Sequence, residues 1–140
     1  MDKTLIMMVG LPRSGKTTKA KALAREHRAP IVSPDNIRLA LHGHPFIASA
    51  EPFVWATAKL MVRSLFYDYD TVILDACNNT RERRDEWRNR KVGSGWVRRY
   101  EVLTTDVETC RSRVDGDEAL ADVIERMAAA SESVEEDESD

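Results

Sequence analysis

The sequence predicts an α/β fold in three layers, in which helices flank a central parallel sheet of about four to five strands. Short apolar runs such as Leu5–Val9 and Val72–Leu74 are typical of parallel strands that are buried on both faces. Segments with apolar residues at helical spacing separate these runs, so strand and helix alternate along the chain. A third observation is the stretch GLPRSGKT at residues 10–17, which lies directly between the first strand and the first helix.

The first two strand–helix units occupy the N-terminal third of the chain. The first unit has a strand over residues 4–9 and a helix over about residues 16–27, with Ala20 and Leu23 on its inward side. The second has a short strand over residues 30–32. Ser33 is a favourable N-cap, and Pro34 follows it at the first helical position, so the pair predicts a second helix that ends near Leu41.

The middle of the chain predicts a third helix, a buried strand and a fourth helix. Residues 42–52 contain the glycine and prolines of a loop, and residues 53–66 are apolar at helical spacing. The strand over residues 71–75 ends in an acid. Asn79 is placed to cap the following helix, which we expect to continue to about Lys91.

The C-terminal part predicts a fourth strand, two helices and an acidic tail. The strand covers residues 96–104, a short helix covers residues 107–113, and an acidic turn precedes the last helix. We expect one domain over residues 1–130. Residues 131–140 read SESVEEDESD, and a segment of that composition is expected to be disordered.

Composition and charge restrict the class of protein. The charged fraction of 32% and hydrophobic fraction of 42% suit a globular protein, and no apolar run is long enough to span a membrane. Without residues 131–140 the net charge changes from −3 to +3, which permits a polyanionic partner. The two cysteines form no disulfide or zinc pattern, and the N-terminus resembles no signal peptide. We therefore expect a cytoplasmic location.

The stretch at residues 10–17 has the spacing of a phosphate-binding loop, G-x-x-x-x-G-K-[ST]. Its glycines let successive backbone N–H groups point at phosphate oxygens, and the following helix presents its positive end to them. Lys16 would reach the outer phosphates of ATP, and the Thr17 hydroxyl would contact Mg²⁺. The predicted nucleotide-binding residues are Gly10, Leu11, Pro12, Arg13, Ser14, Gly15, Lys16, Thr17 and Thr18.

Two acids follow strands at the edge of the sheet where open α/β folds bind ligands. Asp75 ends its strand where a second Mg²⁺-anchoring residue is expected. Asp35 is the candidate base that would deprotonate an acceptor hydroxyl, and Arg38 shares its helix face. Asp35 could equally be an acid that stabilises the first turn of a helix, and Arg38 could be a solvated surface residue.

Arginines supply the remaining candidates. Arg113, with Arg111 as the alternative, precedes the last helix and could stabilise charge on a transferring phosphoryl group, a role worth about 10³- to 10⁵-fold in rate. Arg81, Arg84 and Arg88 share one face of the fourth helix and could follow a nucleic-acid backbone. A solvated face is the more common reading of such a run, and neighbouring acids balance these charges.

Four segments together resemble the 5′-kinase domain of bacteriophage polynucleotide kinase and its P-loop kinase relatives. These segments are GLPRSGKTT, SPDNIR, VILDACNNTRERRDEW and DVIERM, and the resemblance extends over residues 3–129. It implies that Asp35 is the base, that Arg38 holds a substrate phosphate, and that Asp75 and Asn78 match the family's strand-end pair. We assign Asn78 and Arg84 to the acceptor site with Arg38. The family's second lid arginine has no counterpart in VDGDEA.

The resemblance implies a three-layer P-loop kinase fold and an ATP- and Mg²⁺-dependent kinase that phosphorylates a hydroxyl of a nucleic acid, most simply the 5′-OH of DNA or RNA. Relatives on this scaffold leave other acceptors open, namely hydroxymethyl-pyrimidine bases in DNA and small molecules. A nucleotide-binding switch without an acceptor is a further alternative. Nucleic acid is the expected partner.

Overall fold

The central sheet has four parallel strands and confirms the predicted α/β class. The computed structural model describes residues 2–140, and the strands are β1 (Thr4–Val9), β2 (Ile31–Val32), β3 (Thr71–Leu74) and β4 (Val97–Val102). Their order across the sheet is β2-β3-β1-β4. β1 is therefore central, and its Met7 lies between Leu74 of β3 and Tyr100 of β4.

Six α-helices connect and cover the strands. They are α1 (Lys16–His27), α2 (Pro34–His42), α3 (Glu51–Leu65), α4 (Arg81–Asp85), α5 (Val107–Ser112) and α6 (Glu118–Ala130). Two short 3-10 turns lie at Ala48–Ala50 and Glu136–Glu138. Within residues 2–140, none of the helices has the length and apolar character to cross a membrane.

The sheet buries a different apolar cluster on each face, because side chains alternate along every strand. On one face Leu5, Met7 and Leu74 pack against α3 and the tryptophans Trp87 and Trp96. On the other face Ile6, Met8 and Ile73 pack against Ala20 and Leu23 of α1. A third cluster joins α5 to α6, and Leu11 of the phosphate-binding loop packs against it. The loop is therefore attached to both the sheet and the α5–α6 pair.

The fourth helix is shorter than expected and is capped by a different residue. α4 ends at Asp85 rather than near Lys91, since Trp87 turns into the core and Asn89 forms an isolated antiparallel bridge with Trp96. The N-cap is Thr80, whose hydroxyl accepts a hydrogen bond from the Arg83 backbone N–H. Asn79 instead donates its side-chain amide to the carbonyl of Met127 in α6.

The acidic tail is packed against the domain, contrary to the expected disorder. The carboxylate of Glu138 is fully buried against Arg84, and that of Asp140 is 2% exposed against Arg98. The Glu138 carbonyl also accepts hydrogen bonds from Arg98 and the Tyr100 hydroxyl. Arg98 and Tyr100 share a face of the edge strand β4. The tail thus supplies the counter-ions of Arg84 and Arg98. The burial of these two arginines could not be inferred from composition.

Candidate active site

The phosphate-binding loop contains two residues with positive φ angles, a backbone conformation that few residue types adopt. Gly15 has a φ of 99°, in the left-handed region where glycine is favoured, and Arg13 has a φ of 66°. A Cβ atom at Gly10 would lie 2.8 Å from Ser14 Oγ and 3.1 Å from Leu103 Cβ, so a side chain there would push into the loop. The Gly10 N–H donates to the carbonyl of Cys77, which ties the loop to the chain after β3.

The loop and the start of α1 fit a bound polyphosphate. The N-cap of α1 is Gly15, which offers no side-chain cap, and no acid lies in the first helical turn, so the positive end of the helix is uncompensated. Lys16 Nζ donates to the Leu11 carbonyl at 3.2 Å and lies over the loop. The Ser14 hydroxyl is buried with no hydrogen-bond partner among residues 2–140. A phosphate oxygen would satisfy these donors.

Thr17 and Asp75, the two residues that we predict to anchor Mg²⁺, are hydrogen-bonded to each other. Thr17 Oγ1 donates to Asp75 Oδ2 at 2.9 Å, and the Asp75 residue is only 8% exposed. The pairing of β3 with β1 places these two side chains at the same edge of the sheet. Mg²⁺ usually takes one or two protein oxygens and completes its shell with water and phosphate oxygens. One hydroxyl and one carboxylate beside the loop therefore fit that cation.

The charged groups of three segments converge on Cys77. Burial raises the pKa of the Cys77 thiol; Lys16 acts against this shift, whereas Asp35 and Asp75 add to it. The order of strands explains the convergence, because β1, β2 and β3 are neighbours and each ends at this edge. Lys16, Asp35 and Asp75 therefore lie at the same edge of the sheet. The thiol itself is partly buried and stays protonated at neutral pH.

Asp35 and Arg38 form an ion pair in the first turns of α2. The Ser33 hydroxyl caps this helix by accepting from the Asn36 backbone N–H, and Asp35 lies in its first turn, as predicted. Arg38 Nη1 donates to Asp35 Oδ1 at 2.7 Å, and the Asp35 side chain remains 81% exposed. The exposed Asp35 carboxylate is accessible to an acceptor hydroxyl.

Arg38 is held by a second acid that sequence reasoning missed. Its Nε and Nη2 atoms donate to the two oxygens of Glu51 at 2.9 and 2.7 Å, and both side chains are mostly buried. The hydrogen bond from Arg38 lowers the pKa of Glu51 and outweighs the opposing effect of burial. Glu51 is the first residue of α3, and only its place before Pro52 at a helix start could have drawn attention to it.

Trp55 and Arg83 adjoin this ion-pair cluster. The Arg38 guanidinium carbon lies 5.7 Å from the centre of the Trp55 ring, and that of Arg83 lies 5.0 Å from it. Both distances are within the range of a cation–π contact. Neither residue was singled out from the sequence, because Arg83 belongs to a run of charges and Trp55 to an apolar helix.

The two candidate lid arginines point in different directions. Arg113 Nη1 donates to the backbone carbonyl of Arg13 in the phosphate-binding loop at 2.9 Å. Arg111 instead forms an ion pair with Glu125 of α6 at 3.0 Å. Arg113 therefore lies at the site and Arg111 on the outer surface of the α5–α6 pair, a choice that the sequence left open.

Asn78 and Arg84, which we expected at the acceptor site, make internal contacts instead. The Asn78 side-chain amide donates to the Met8 carbonyl at 2.8 Å, and its own backbone adopts a φ of 45°. Arg84 has no exposed side-chain surface, and all three guanidinium nitrogens donate, to Glu138 and to the carbonyls of Asn78 and Ser133. The assignment of Arg84 to acceptor binding is not supported, since every nitrogen is already used.

The other two arginines of that helix face are also occupied. Arg81 pairs with Asp137 at 3.0 Å and Arg88 lies 3.6 Å from Asp140. The acidic tail therefore supplies counter-ions for the arginines that could have followed a nucleic-acid backbone.

Comparison with known proteins identifies the family. A family model described as AAA domain matches residues 5–133, nearly the whole chain. No curated protein shows significant similarity to this sequence.

Solved structures show the same fold at low sequence identity. Two structures of a Pnkp1/Rnl/Hen1 complex, one described as an RNA repair complex, match with TM-scores of 0.68 and 0.69 at 24% and 19% identity. They cover 81% and 92% of this chain, which spans only 39% and 45% of the matched chains.

Two kinases of small molecules match over a larger share of their own length. A gluconokinase from Sinorhizobium meliloti 1021 has a TM-score of 0.62 at 18% identity, with 93% of this chain and 75% of that chain covered. A sugar kinase from Janibacter sp. HTCC2649 has a TM-score of 0.66 at 23% identity, with 99% and 83% covered. These likenesses show that the fold is that of the P-loop kinases.

Proposed function

We propose that this chain, which belongs to the AAA-domain family and has the P-loop kinase fold, is an ATP-dependent kinase whose acceptor is a hydroxyl group of a nucleic acid, most simply a 5′-OH end. The observation that carries the proposal is the Thr17–Asp75 hydrogen bond at 2.9 Å next to Lys16 of the phosphate-binding loop, with the exposed Asp35 carboxylate in the helix that follows the neighbouring β2–β3 edge. These are the nucleotide, metal and base positions that phosphoryl transfer requires.

The residues divide the reaction among them. The loop N–H groups and Lys16 bind the phosphates of ATP. Thr17 and Asp75 would hold Mg²⁺, which would supply positive charge next to those phosphates. Asp35 accepts the proton of the acceptor hydroxyl while the oxygen of that hydroxyl forms a bond to the γ-phosphorus. The bond between the γ-phosphorus and the bridging oxygen breaks at the same time, and ADP leaves. Arg113 stabilises the charge on the transferring group.

A polynucleotide acceptor is supported by the similarity to structures of an RNA repair complex and by the four segments that resemble the 5′-kinase domain of phage polynucleotide kinase. A small-molecule acceptor is the second candidate. It is favoured by the sugar kinase and gluconokinase structures, since this chain covers 83% and 75% of their length.

The test is transfer from γ-labelled ATP to parallel acceptors. These are single-stranded DNA and RNA with 5′-OH ends, a duplex with internal hydroxymethyl-pyrimidines and blocked ends, and a panel of sugars and nucleosides. Label on the 5′-OH strands supports the proposal. Label on the blocked duplex alone indicates a base kinase, and label on the small molecules alone refutes a nucleic-acid acceptor.

Asp35→Asn tests the base. This variant should lose at least about 10²-fold in transfer rate while ATP affinity stays within about twofold, because Asp35 acts on the acceptor. Asp68→Asn is the matched control, since Asp68 is exposed and its side chain has no partner among the described residues. Transfer by Asp35→Asn at the rate of the control would show that another group takes the proton.

A further inference from the structure

The half-buried indole of Trp55 is flanked by two guanidinium groups that are not equivalent. Arg38 comes from α2 and Arg83 from α4, and their guanidinium carbons lie 5.7 and 5.0 Å from the ring centre. Trp55 itself belongs to α3. Three helices therefore contribute one side chain each to this arginine–tryptophan–arginine cluster, next to the candidate base.

The charge of Arg38 is already compensated. Its Nε and Nη2 atoms bind Glu51 and its Nη1 atom binds Asp35, so three nitrogens contact two carboxylates. Three of the five N–H donors of Arg38 therefore bind carboxylates before any substrate phosphate arrives. In this structure Arg38 orients the acids and does not present a free cation to a ligand.

Arg83 is the cation of the cluster that remains available. Its side chain is exposed, and no carboxylate of residues 2–140 forms an ion pair with it within 4.0 Å. Arg81 of the same helix has Asp137 as its counter-ion, but Arg83 has no such ion pair among residues 2–140. A ligand phosphate would supply the missing charge.

We propose that Arg83 and Trp55 form the acceptor subsite, in which Arg83 binds a backbone phosphate and Trp55 stacks on a base of a single-stranded polynucleotide whose terminal hydroxyl lies at Asp35. This inference rests on the proposed kinase function. A guanidinium matches phosphate with two parallel hydrogen bonds. When Arg83 turns to the phosphate, it uncovers one face of the indole, and a base stacks on an aromatic ring more strongly than an exposed cation does.

The chemistry separates this acceptor from a sugar. A neutral sugar has no phosphate for Arg83, and its affinity would be insensitive to salt. Each phosphate bound by a cation adds about 0.7 to the slope of log K against log salt for a single strand. A change in this salt slope on replacing Arg83 therefore measures whether Arg83 contacts a phosphate.

The experiment measures binding of a dye-labelled six-nucleotide oligothymidylate with a 5′-OH by the full chain, without ATP, as salt is varied. Arg83→Gln should weaken binding about tenfold at low salt and reduce the slope by about 0.7. Arg25→Gln is the matched control, because Arg25 is an exposed arginine on α1 without an ion pair among the described residues. It should leave both quantities unchanged.

Two further variants separate charge from stacking. Arg83→Lys should keep the slope but bind more weakly than the native chain, since lysine lacks the planar fork. Trp55→Leu should keep the slope and lose about tenfold in affinity. Thermal unfolding of each variant checks that it is folded. If Trp55→Leu does not fold, the two Arg83 variants still test the subsite, because Arg83 is exposed and its replacement should not unfold the protein.

The outcomes distinguish this inference from the proposed function. An Arg83→Gln variant with the native slope and affinity overturns the subsite, as does a native chain that does not bind the oligonucleotide at low salt. Labelling of 5′-OH strands with an unchanged KM in Arg83→Gln overturns the subsite and keeps the kinase. An Arg83-dependent slope without any phosphate transfer keeps the subsite and overturns the kinase.

Discussion

The buried ion pair between Glu138 and Arg84 should make the acidic tail essential for stability. Both side chains have no exposed surface, and Glu138 accepts from Arg84 Nε at 2.8 Å and from Arg84 Nη2 at 3.3 Å. It also accepts from the Glu135 backbone N–H at 2.7 Å. Glu138→Ala removes all three contacts and leaves the guanidinium buried without a counter-ion.

The expected loss follows from what remains around Arg84. Its hydrogen bonds to the Asn78 and Ser133 carbonyls persist, so its donors are only partly unsatisfied, but no carboxylate neutralises its charge. Breaking one side of a buried pair costs about 3–5 kcal/mol. For a domain of this size, that loss corresponds to a decrease in Tm of roughly 10–15 °C.

Urea unfolding of three variants measures the effect. Glu138→Ala should lose about 3–5 kcal/mol of unfolding free energy, and Glu138→Gln should lose about half of that, because it keeps a neutral hydrogen bond. Glu136→Ala is the control, since Glu136 is exposed in the same turn, and it should change stability by less than about 0.5 kcal/mol.

A Glu138→Ala variant as stable as the control would refute this reasoning. It would mean that residues 131–140 do not dock in solution and that their composition, which predicts disorder, decides their state.

Three further predictions concern metal binding, the lid and acid stability. Asp75→Asn should weaken Mg²⁺-dependent ATP binding by about 10- to 100-fold and leave Mg²⁺-free binding nearly unchanged, because the amide lacks the negative charge that attracts the cation. Nucleotide titration with and without EDTA measures this. Arg113→Ala should slow phosphoryl transfer by about 10³-fold, and Arg111→Ala should slow it by less than twofold. If the two variants lost similar amounts of activity, the choice of Arg113 as the lid arginine would be wrong. Burial opposes ionisation of Glu138, but the hydrogen bonds from Arg84 and the Glu135 N–H outweigh it and lower the pKa of this carboxyl below its unfolded value of 4.5. The ionised Glu138 therefore stabilises the fold fully above that value, and this stabilisation is lost as the pH falls below it. Urea midpoints of native chain and Glu138→Ala should therefore converge in acid and diverge above pH 5.

The course of the chain was largely predictable, because the signals for it are local. Apolar runs alternate with helical spacing, and the Ser33–Pro34 pair starts α2 where predicted. The length of α4 was not predictable in this way. Residues 86–91 have a helical composition, but burial of Trp87 and the bridge from Asn89 to Trp96 end the helix early.

The phosphate-binding loop, the Thr17–Asp75 pair and the position of Asp35 could be predicted from the sequence, since they depend on motif spacing and on where parallel strands end. The counter-ions of the arginines could not, because they depend on how distant segments pack together. Glu51 lies 13 residues from Arg38, and Glu138 lies 54 residues from Arg84. Charge pairing over such separations has no local signal, because an arginine in a charged run looks the same whether water or a buried carboxylate neutralises it. The fold therefore decides which arginines are structural and leaves Arg83 free to meet a ligand.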